Sequence, residues 1–423
     1  MALEDYRDDC TDCSRCSYCK WIPLDHIKSA RFARACPSIE YCNFQAYSLG
    51  GRLSIGLSLL EGRIGYNDEL KDIVWKCQMG GACDVSDKIC RYNIRGLEVM
   101  REMRFKLVED GQTLPGHKPY IDNLRKEENM MMEPGVNRGK WADGLDVKNL
   151  AEEKAAVVFH AGCRYSYDEG LQKTARIAVM MLKDAGVDIG IMGENESCCG
   201  GRVYQWGYRK ELNGFARKNA RVWADAGVKT VVTPCAECYH TFKRLYPEIG
   251  FTFEVIHVVE YINRLIKAGK IKLTRSVPLT VTYHDPCHLG RLGEPYVPWQ
   301  GHREKIYGQI PVWKPGKPRY NGALGVYDAP RNVLKSIPGL ALVEMERIRE
   351  YAWCCGAGGG VLEAYPDFAA WTAAERLTEA KATGAEAIVS ACPWCERSFA
   401  DTVKSQDEKI KVYDIIDLVQ MAL

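Results

Sequence analysis

The chain has 423 residues, of which 46% are hydrophobic, and this length is typical of two or three domains with filled cores. Its 57 basic and 55 acidic residues leave a formal charge of +2, so the composition provides no field that would attract nucleic acid. The 19 cysteines are the unusual feature. Their fixed spacing within clusters favours metal or cluster ligation over a secreted disulfide scaffold, which is the alternative.

The N-terminus and the longest apolar stretches bear on the cellular localisation of the protein. The opening sequence MALEDYRDDC is acidic and lacks an apolar core, so it is neither a secretory signal nor a transit peptide. The apolar stretch LSIGLSLL is much shorter than the roughly 20 residues that a membrane helix needs. We therefore expect a soluble, cytoplasmic protein without direct membrane insertion, and any membrane association would come through a partner.

Residues 1–110 contain many cysteines and little strand signal. The cysteines in this region are Cys10, Cys13, Cys16, Cys19, Cys36, Cys42, Cys77, Cys83 and Cys90. The first four form a C-x2-C-x2-C-x2-C run. Bacterial ferredoxins use C-x2-C-x2-C-x3-C-P, in which three close thiolates hold one cubane and the fourth reaches another cluster. An insertion delays the Cys-Pro element to Cys36. The run predicts a first [4Fe-4S] cubane.

The second half of the ferredoxin pattern is incomplete. Gly80 stands where the run requires its second cysteine, and Asp87 where it requires its fourth. Cys36, Cys42 or Cys90 could compensate, and Asp87 could bind iron through oxygen. The alternative is a second cluster that is lost, labile or built from three irons. Which of Cys10, Cys36, Cys42 and Cys90 would bind which cluster stays open at this point.

Helical periodicity connects these cysteine groups. The segments ELKDIVWK and NIRGLEVMREMRFKLVEDG carry apolar residues at helical intervals, and the second ends in glycine. We therefore predict a small helical cluster-binding module over residues 1–110. Residues 111–150 mix proline, glycine and polar residues without periodicity, which predicts a surface linker. The run of methionines at 130–132 fits loop packing, since methionine fills irregular gaps.

From Lys154 onward, short apolar strands alternate with helices. The strands AAVVFHAG, VDIGIMG and VKTVVTP are separated by helical segments of 12 to 18 residues, and LTVTYHDP begins a second series. Such alternation predicts βαβ units and parallel sheets. The fold class is therefore α/β, a helical ferredoxin-like iron–sulfur module followed by two homologous Rossmann-like lobes. We place the lobes at residues 151–275 and 276–423, facing each other with pseudo-twofold symmetry.

Each predicted lobe carries five cysteines in the same order: one single, two adjacent, then a C-x2-C pair. The first set is Cys163, Cys198, Cys199, Cys235 and Cys238, and the second is Cys287, Cys354, Cys355, Cys392 and Cys395. The cysteines follow strands, at the sheet edge where α/β folds build their sites. The copies differ by an insertion at residues 295–324. We expect it to be a lid or docking surface, with a neutral loop as the alternative.

The chemistry of the five-cysteine sets favours a cluster of several irons. Five ligands exceed the four of a closed zinc site, although a zinc-bound structural protein is an alternative. Glycines follow both vicinal pairs, at Gly200, Gly201, Gly356 and 358–360. They permit close approach of the backbone to an inorganic core and donation of N–H groups to its sulfides.

This repeated pattern resembles the CCG cysteine-rich domain of heterodisulfide reductases, and its fusion to a cubane-binding N-terminus is similar to the D-type subunit of that family. The resemblance implies one noncubane [4Fe-4S] cluster in each five-cysteine set. In that family the two clusters face each other and split a disulfide in one-electron steps. It also leaves a second function open, an electron-transfer subunit of an anaerobic complex such as class II benzoyl-CoA reductase.

The resemblance also bears on partners. GAGGG at residues 356–360 follows a cysteine pair and does not fit a dinucleotide-binding unit. Electrons would therefore come from a flavin-containing or ferredoxin-type donor subunit, and a reductase subunit could belong to the same hetero-oligomeric complex. The substrate, the partner and the direction of electron flow stay open.

Polar residues beside the single cysteines are further candidates. His160, His284, Asp285 and His288 could relay protons to a released thiolate, or they could be strand-end residues bonded to the backbone. Arg202 could hold a substrate carboxylate or sulfonate. Its alternative role is an ordinary ion pair.

Overall fold

The computed structural model describes residues 2–86, 90, 94–308, 310–316 and 322–423. The candidate ligand Asp87 lies outside the described residues. The α-helices are α1 (Arg7–Asp12), α2 (Pro37–Cys42), α3 (Leu49–Leu60), α4 (Asp68–Trp75), α5 (Ala82–Ser86), α6 (Gly96–Glu109), α7 (Lys118–Glu127), α8 (Gly162–Tyr167), α9 (Glu169–Asp184), α10 (Gly201–Gln205), α11 (Arg209–Asp225), α12 (Ala236–His240), α13 (Tyr246–Glu248), α14 (Val258–Lys267), α15 (Asp328–Lys335), α16 (Val361–Ala364), α17 (Pro366–Ala382), α18 (Pro393–Ser405) and α19 (Ile415–Ala422).

The strands are short and belong to three sheets. They are β1 (Lys148–Asn149), β2 (Val157–Phe159), β3 (Ile189–Ile191), β4 (Thr230–Thr233), β5 (Glu254–His257), β6 (Thr280–Tyr283), β7 (His302–Ile306), β8 (Ile310–Lys314), β9 (Ala341–Val343), β10 (Ala387–Ser390) and β11 (Lys411–Asp414). A π-helical turn at Thr241–Leu245 joins α12 to α13.

The first part of the chain is helical, as predicted. Helices α4 and α6 form where the apolar spacing indicated, and α3 begins at Ser48, whose side chain accepts a hydrogen bond from the Gly51 amide. Such an N-cap is worth about 1 kcal/mol. Buried Leu53, Val74 and Met103 belong to a core that is separate from the core of the sheets. Among the described residues up to 110, the β pairing is one isolated bridge, between Trp21 and Arg34.

Residues 111–150 are more ordered than the expected surface linker. They contain the ten-residue helix α7, with Ile121 and Leu124 buried against Trp206. They also contain β1, which pairs with β3 at the edge of a sheet. The expectation of an aperiodic surface loop was therefore wrong for this segment. Its proline and glycine content hid a helix that is stabilised by tertiary packing rather than by local propensity.

The two sheets share one parallel topology. The first has the order β1-β3-β2-β4-β5 and the second the order β11-β10-β6-β9. Apart from β1, the strands correspond one to one: β2 with β6, β3 with β9, β4 with β10, and β5 with β11. All pairs within these sheets are parallel. This repeat confirms the predicted α/β class with two Rossmann-like lobes, while the exact domain boundaries stay a prediction.

The two sheets bury a common hydrophobic core. Val158 and Val231 from the first sheet and Val281 and Ile388 from the second have no exposed surface and belong to one cluster. The hydroxyl of Tyr165 donates a hydrogen bond to Asp414 across this core at 2.8 Å. The lobes are thus joined by a shared hydrophobic core that a buried hydrogen bond crosses.

The insertion in the second lobe is not structureless. Strands β7 and β8 form an antiparallel hairpin, with Arg303 opposite Trp313. The Arg303 guanidinium forms ion pairs with Asp8 at 3.0 Å and with Asp12. The insertion, which was predicted to be a lid or docking surface with a neutral loop as the alternative, therefore contains a hairpin that packs on the N-terminal helices. None of the helices in the part of the chain that the structure describes is long and apolar enough to cross a membrane.

Arg104 of α6 joins all three parts of the molecule. Its guanidinium is fully buried and donates to the carbonyls of Val74, Trp75 and Cys77 in the N-terminal module. It also donates to Gln205 and Gly359, one from each lobe, both at 2.7 Å. Burial lowers the pKa of Arg104 to about 10, a value at which it stays charged at neutral pH.

Candidate functional site

The five cysteines of the first lobe converge at the ends of β2, β3 and β4. All five are buried, and hydrogen bonds link the thiol of Cys163 to Cys198, Cys198 to Cys199, and Cys199 to Cys238. Cys238 in turn bonds Cys235. The first predicted set therefore forms one continuous group of thiols.

The second set converges in the same way. Hydrogen bonds link Cys354 to Cys355, Cys355 to Cys395, and Cys395 to Cys392. Cys287 is buried and interacts electrostatically with Cys355. The structure thus brings each predicted set of five together, although the sets were assigned from spacing alone.

The two sets also contact each other. The thiols of Cys235 and Cys392, which each follow the equivalent strands β4 and β10 by two residues, form a hydrogen bond across the lobe interface. Both cysteines occupy the N-cap positions of the helices that follow them, α12 and α18, without a capping hydrogen bond from the side chain. The ten cysteines therefore surround a single site that both lobes share.

Glycine amides point at the vicinal thiols. Gly200 and Gly201 donate their N–H groups to the sulfurs of Cys198 and Cys199 at 3.3 and 3.5 Å. Gly356 donates to Cys354 at 3.3 Å. Gly200 and Gly356 have φ values of +81° and +92°, which residues with a side chain rarely adopt. These glycines therefore direct their amides at the cysteine sulfurs, and their donation to the sulfides of a cluster stays a prediction.

A buried ion pair lies against Cys163. Arg138 donates to Glu196 at 2.7 Å and to the sulfur of Cys163 at 3.3 Å. Glu196 also accepts the amides of Ala161 and Gly162. The hydrogen bond from Cys198 and the charge of Arg138 lower the pKa of Cys163 to about 6, although burial opposes both. This arrangement stabilises a thiolate in the first lobe.

The second lobe supports its vicinal cysteines differently. Arg376 donates to Nδ1 of His284 at 3.2 Å and to Glu379 at 2.6 Å. His284 in turn forms a hydrogen bond with the thiol of Cys355. Because Nδ1 accepts from arginine, Nε2 carries the proton, and this tautomer presents an N–H to the sulfur.

His160, the counterpart of His284, has no such contact. Neither ring nitrogen forms a hydrogen bond within the described residues, and Nδ1 lies 3.7 Å from Glu196. Its ring packs edge-on against Phe242. Burial lowers the pKa of His160, so the ring is neutral. The alternative of a strand-end histidine bonded to the backbone does not apply to its side chain.

His288 reaches the lobe interface, whereas Asp285 bonds within the second lobe. Nδ1 of His288 lies 3.4 Å from the sulfur of Cys287, and Nε2 contacts the side-chain amide of Gln205 from the first lobe. Asp285 accepts two hydrogen bonds from Arg331, at 2.7 and 2.9 Å. Asp285 therefore has a structural ion pair, whereas His288 lies beside a predicted ligand.

Arg202 forms an interlobe ion pair. It is 3% exposed, pairs with Glu363 of the second lobe, and lies 3.5 Å from Glu237. Its guanidinium stacks 3.8 Å from the ring centre of Trp394. The alternative role of an ion pair is the one that the structure supports. Burial raises the pKa of Glu237 to about 8, even with Arg202 close by.

A cavity of about 190 Å³ opens beside Trp394. Its lining includes Arg164, Arg397 and Asp401, and Arg164 immediately follows Cys163. Trp394 lies between Cys392 and Cys395 in the sequence. One wall of this cavity is therefore formed by a residue of the shared cysteine site.

The N-terminal cysteines fall into two neighbourhoods. Cys19, Cys36, Cys77 and Cys83 line one internal cavity. β-carbons added at Gly56 and Gly50 would lie 3.5 Å from the sulfur of Cys10 and 3.7 Å from that of Cys13. Cys10 is buried, Cys16 is exposed, and Cys42 and Cys90 are half-buried. All 19 cysteines lie within the described residues and none of them is in a disulfide, which excludes the disulfide alternative for this structure.

Several residues at this site were not singled out from the sequence. Arg138 and Arg104 lay in segments that were interpreted as a linker and as a helix. Arg291 bonds the carbonyls of Gly80 and Ala352, and Arg376 bonds His284. Among the residues around the cysteines, Glu196 was the one that the sequence could have indicated, because it stands two residues before Cys198.

Comparisons with known proteins agree with this geometry. The model of the CCG cysteine-rich domain matches residues 157–243 and 318–400. The D-type subunit of the dihydromethanophenazine:CoB–CoM heterodisulfide reductase of Methanosarcina mazei is 35% identical over 366 residues, which cover 84% of this chain and 79% of that protein. This chain belongs to the family of that heterodisulfide reductase subunit. It is accordingly an oxidoreductase-type iron–sulfur protein.

More distant relatives of this heterodisulfide reductase family are larger proteins. The EtfAB:quinone oxidoreductase of Syntrophomonas wolfei is 28% identical over 83% of this chain but 47% of its own length. A crystal structure of a hypothetical protein from Helicobacter pylori superposes with a TM-score of 0.51 over 89% of this chain and 67% of its own. At 11% identity, that likeness shows the fold alone.

Proposed function

We propose that this chain passes electrons from two N-terminal cubanes to a pair of noncubane [4Fe-4S] clusters, which together reduce a disulfide. The observation that carries the proposal is the contact between Cys235 and Cys392, which makes one site from the two five-cysteine sets. Clusters held there would supply single electrons at two adjacent positions. A disulfide requires two electrons and two protons to give two thiols, and a paired site meets that demand.

The position of the N-terminal module supports electron entry through the second lobe. A β-carbon added at Gly80 would lie 3.9 Å from the sulfur of Cys287. The glycine loop that follows Cys355 packs so closely that a β-carbon at Gly358 would lie 2.6 Å from the carbonyl oxygen of Gln78, next to Cys77. The predicted cubane region and the second five-cysteine set are therefore in direct backbone contact.

The chain's own residues would position the substrate and the proton. The cavity beside Trp394 has Arg164 and Arg397 in its lining, which pair with Asp168 and Asp401, and an anionic end group of a disulfide would have to replace these carboxylates. His288, beside Cys287 and held by Gln205, is placed to donate a proton to a sulfur at the interface. Arg138 would hold Cys163 as thiolate.

The second candidate is an electron-transfer subunit that performs no chemistry on a disulfide. All ten cysteines of the two sets are at most 9% exposed, and the pairing of Arg202 with Glu363 and Glu237 closes the interface between the lobes. A closed site favours electron transfer to a partner over direct attack on a substrate. In this case the hairpin of β7 and β8 would be the distinctive surface for docking.

Anaerobic assays with reduced viologen and several disulfides would separate the two. We expect thiol release by the wild-type chain, and its loss in Cys199→Ser and Cys355→Ser, because each variant removes a ligand from one half of the shared site. Cys42→Ser is the matched control and should keep full activity. A chain that contains all its iron but releases no thiol from any disulfide would contradict disulfide reduction and favour the relay.

Iron analysis gives the first check. Four clusters of four irons predict about 16 irons per chain, and about 12 if one cubane is missing. Stoichiometric zinc with fewer than about 4 irons would contradict the cluster proposal altogether.

Assembly and localisation are part of the proposal. The related M. mazei protein is by name one subunit of a larger reductase. We expect this chain to associate likewise with a flavin-containing or ferredoxin-type electron donor. We also expect a cytoplasmic location, because cysteine clusters with ligand spacing are typical of metal sites in reducing compartments.

A further inference from the structure

The second cubane was in doubt because Gly80 replaces a cysteine of the ferredoxin run. The structure offers a different set of ligands for it. The cavity in the N-terminal module is lined by four cysteines, Cys19, Cys36, Cys77 and Cys83, and by the cations Lys20 and Arg52. Four thiolates are the number that a [4Fe-4S] cubane needs, and the nearby cations favour an anionic occupant.

The insertion at residues 20–35 explains why Cys19 and Cys36 lie together. Its two ends are paired by backbone hydrogen bonds, from Ala35 N to Lys20 O at 2.8 Å and from Ile22 N to Ala33 O at 2.9 Å. These bonds place the residues before Lys20 and after Ala35 side by side. The insertion therefore returns the chain to its starting point, and two cysteines far apart in sequence become neighbours.

The backbone around these cysteines is shaped like a cluster-binding loop. Ser17, Met79 and Gly81 have φ values of +61°, +55° and +71°. Left-handed residues of this kind turn successive N–H groups toward one point, where they can contact inorganic sulfide. For Ser17 and Met79 this conformation costs energy that the packing of the module must offset.

Gly80 does not point into this cavity. A β-carbon at Gly80 would lie 3.3 Å from Nη2 of Arg291 and 3.9 Å from the sulfur of Cys287. The Gly80 carbonyl accepts a hydrogen bond from Arg291. Position 80 thus faces the second lobe, and a cysteine there would not restore a corner of the cavity.

We propose that Cys19, Cys36, Cys77 and Cys83 hold a complete second cubane, in which the extra cysteine of the first run replaces the one missing at Gly80. Cys10, Cys13, Cys16 and Cys90 then remain for the first cubane. Cys42, which does not line the cavity, binds neither. This inference rests on the proposed function and assigns ligands within it.

Anaerobic full-length protein tests the assignment by iron content and electron paramagnetic resonance. We expect Cys19→Ser and Cys36→Ser each to lose one cubane signal and up to about 4 of the 16 irons, or to convert it to a three-iron signal. Cys42→Ser should keep all signals. Addition of Gly80→Cys to Cys36→Ser should restore nothing. The unchanged signals of the noncubane clusters would show that the variants are folded.

A second measurement needs no variant. Native wild-type protein treated anaerobically with iodoacetamide and mapped by mass spectrometry should be alkylated at Cys42, with the four cavity cysteines protected. Alkylation of Cys19 or Cys36, or restoration by Gly80→Cys, would overturn the assignment.

The wild-type iron content separates this inference from the proposed function. About 12 irons with both noncubane signals and one cubane signal would overturn the second cubane alone. About 8 irons with cubane signals only would overturn the paired noncubane clusters and leave the ligand assignment standing.

Discussion

The two lobes share one strand order and one cysteine order, yet they surround their cysteines with different chemistry. In the first lobe Arg138 and Glu196 form a charged pair against the single cysteine, and neither ring nitrogen of His160 makes a hydrogen bond within the described residues. In the second lobe the histidine bonds a vicinal cysteine, and burial raises the pKa of the single cysteine, Cys287, to about 12.

The difference lies in how the lobes contact the rest of the chain. Both lobes contact the N-terminal module, since Arg104 donates to Gln205 of the first lobe and to Gly359 of the second. The segment after α7 places Arg138 against Cys163 of the first lobe. A duplicated fold therefore keeps the ligand positions and changes the residues around them, so that two chemically identical sets have unequal electrostatic surroundings.

The largest expected effect comes from removal of the cation of the first lobe. Arg138→Gln leaves Glu196 as a buried carboxylate without its partner, which typically costs about 3–5 kcal/mol. We expect a lower unfolding temperature and loss of about 4 irons from the first lobe only. Circular dichroism and iron analysis under anaerobic conditions would measure both.

The matched control is Arg176→Gln in the same lobe. The Arg176 guanidinium donates to two backbone carbonyls, of Trp141 and Asp143, rather than to a buried carboxylate. This variant should keep its iron. Equal iron loss from both lobes in Arg138→Gln would show that the lobes are not electrostatically independent.

The next effect concerns the histidines. His284→Gln removes a hydrogen bond to Cys355 and should lower the midpoint potential of the second-lobe cluster, because such bonds stabilise the reduced, more negative state. We expect a fall on the order of 50 mV, close to the 59 mV of a tenfold change in a one-electron equilibrium. His160→Gln should leave the first-lobe potential unchanged. Equal shifts of the midpoint potential in the two variants, measured by redox titration, would contradict the different roles of the two histidines.

A pH effect tests how the lobes are joined. His117 bonds the carbonyl of Gly360 at 2.9 Å and stacks on Trp206 of the first lobe. Burial lowers the pKa of His117 to about 4 from an ordinary value of 6.5. The unfolded chain therefore takes up a proton first as pH falls through 6.5, and stability is lost toward pH 4.

Between pH 7.5 and 5.5 this loss should be about 1 kcal/mol. His117→Gln should reduce the pH dependence of the free energy of unfolding by that amount. An unchanged slope in the variant would assign the acid sensitivity to other groups.

The smallest effect belongs to the hairpin that only the second lobe carries. Arg303→Ala breaks the ion pairs with Asp8 and Asp12, which should cost no more than about 1 kcal/mol at this partly exposed site. Limited proteolysis within the hairpin should become faster. Lys314→Ala is the control, because Lys314 pairs with Glu304 within the hairpin itself. This variant should be cleaved at the wild-type rate.

The two lobes and both five-cysteine sets could be predicted from the sequence, because the spacing of strands and cysteines along the chain is repeated. Contacts between residues far apart in the sequence could not be predicted. The pairing of Arg138 with Glu196 joins segments 58 residues apart, and the approach of Cys19 to Cys36 depends on loop closure. Helix α7 was missed because proline and glycine dominated its surroundings, and the β7–β8 hairpin because it carries no hydrophobic alternation.

Arg104 has a consequence for how the molecule assembles. Its five hydrogen bonds go to carbonyls in three separate parts of the chain. Burial of a guanidinium without its hydrogen-bond acceptors costs free energy. The burial of Arg104 is therefore favourable only when all three parts are in place and supply their carbonyls. The N-terminal module and both lobes should therefore dock in one cooperative step, rather than fold independently and then associate.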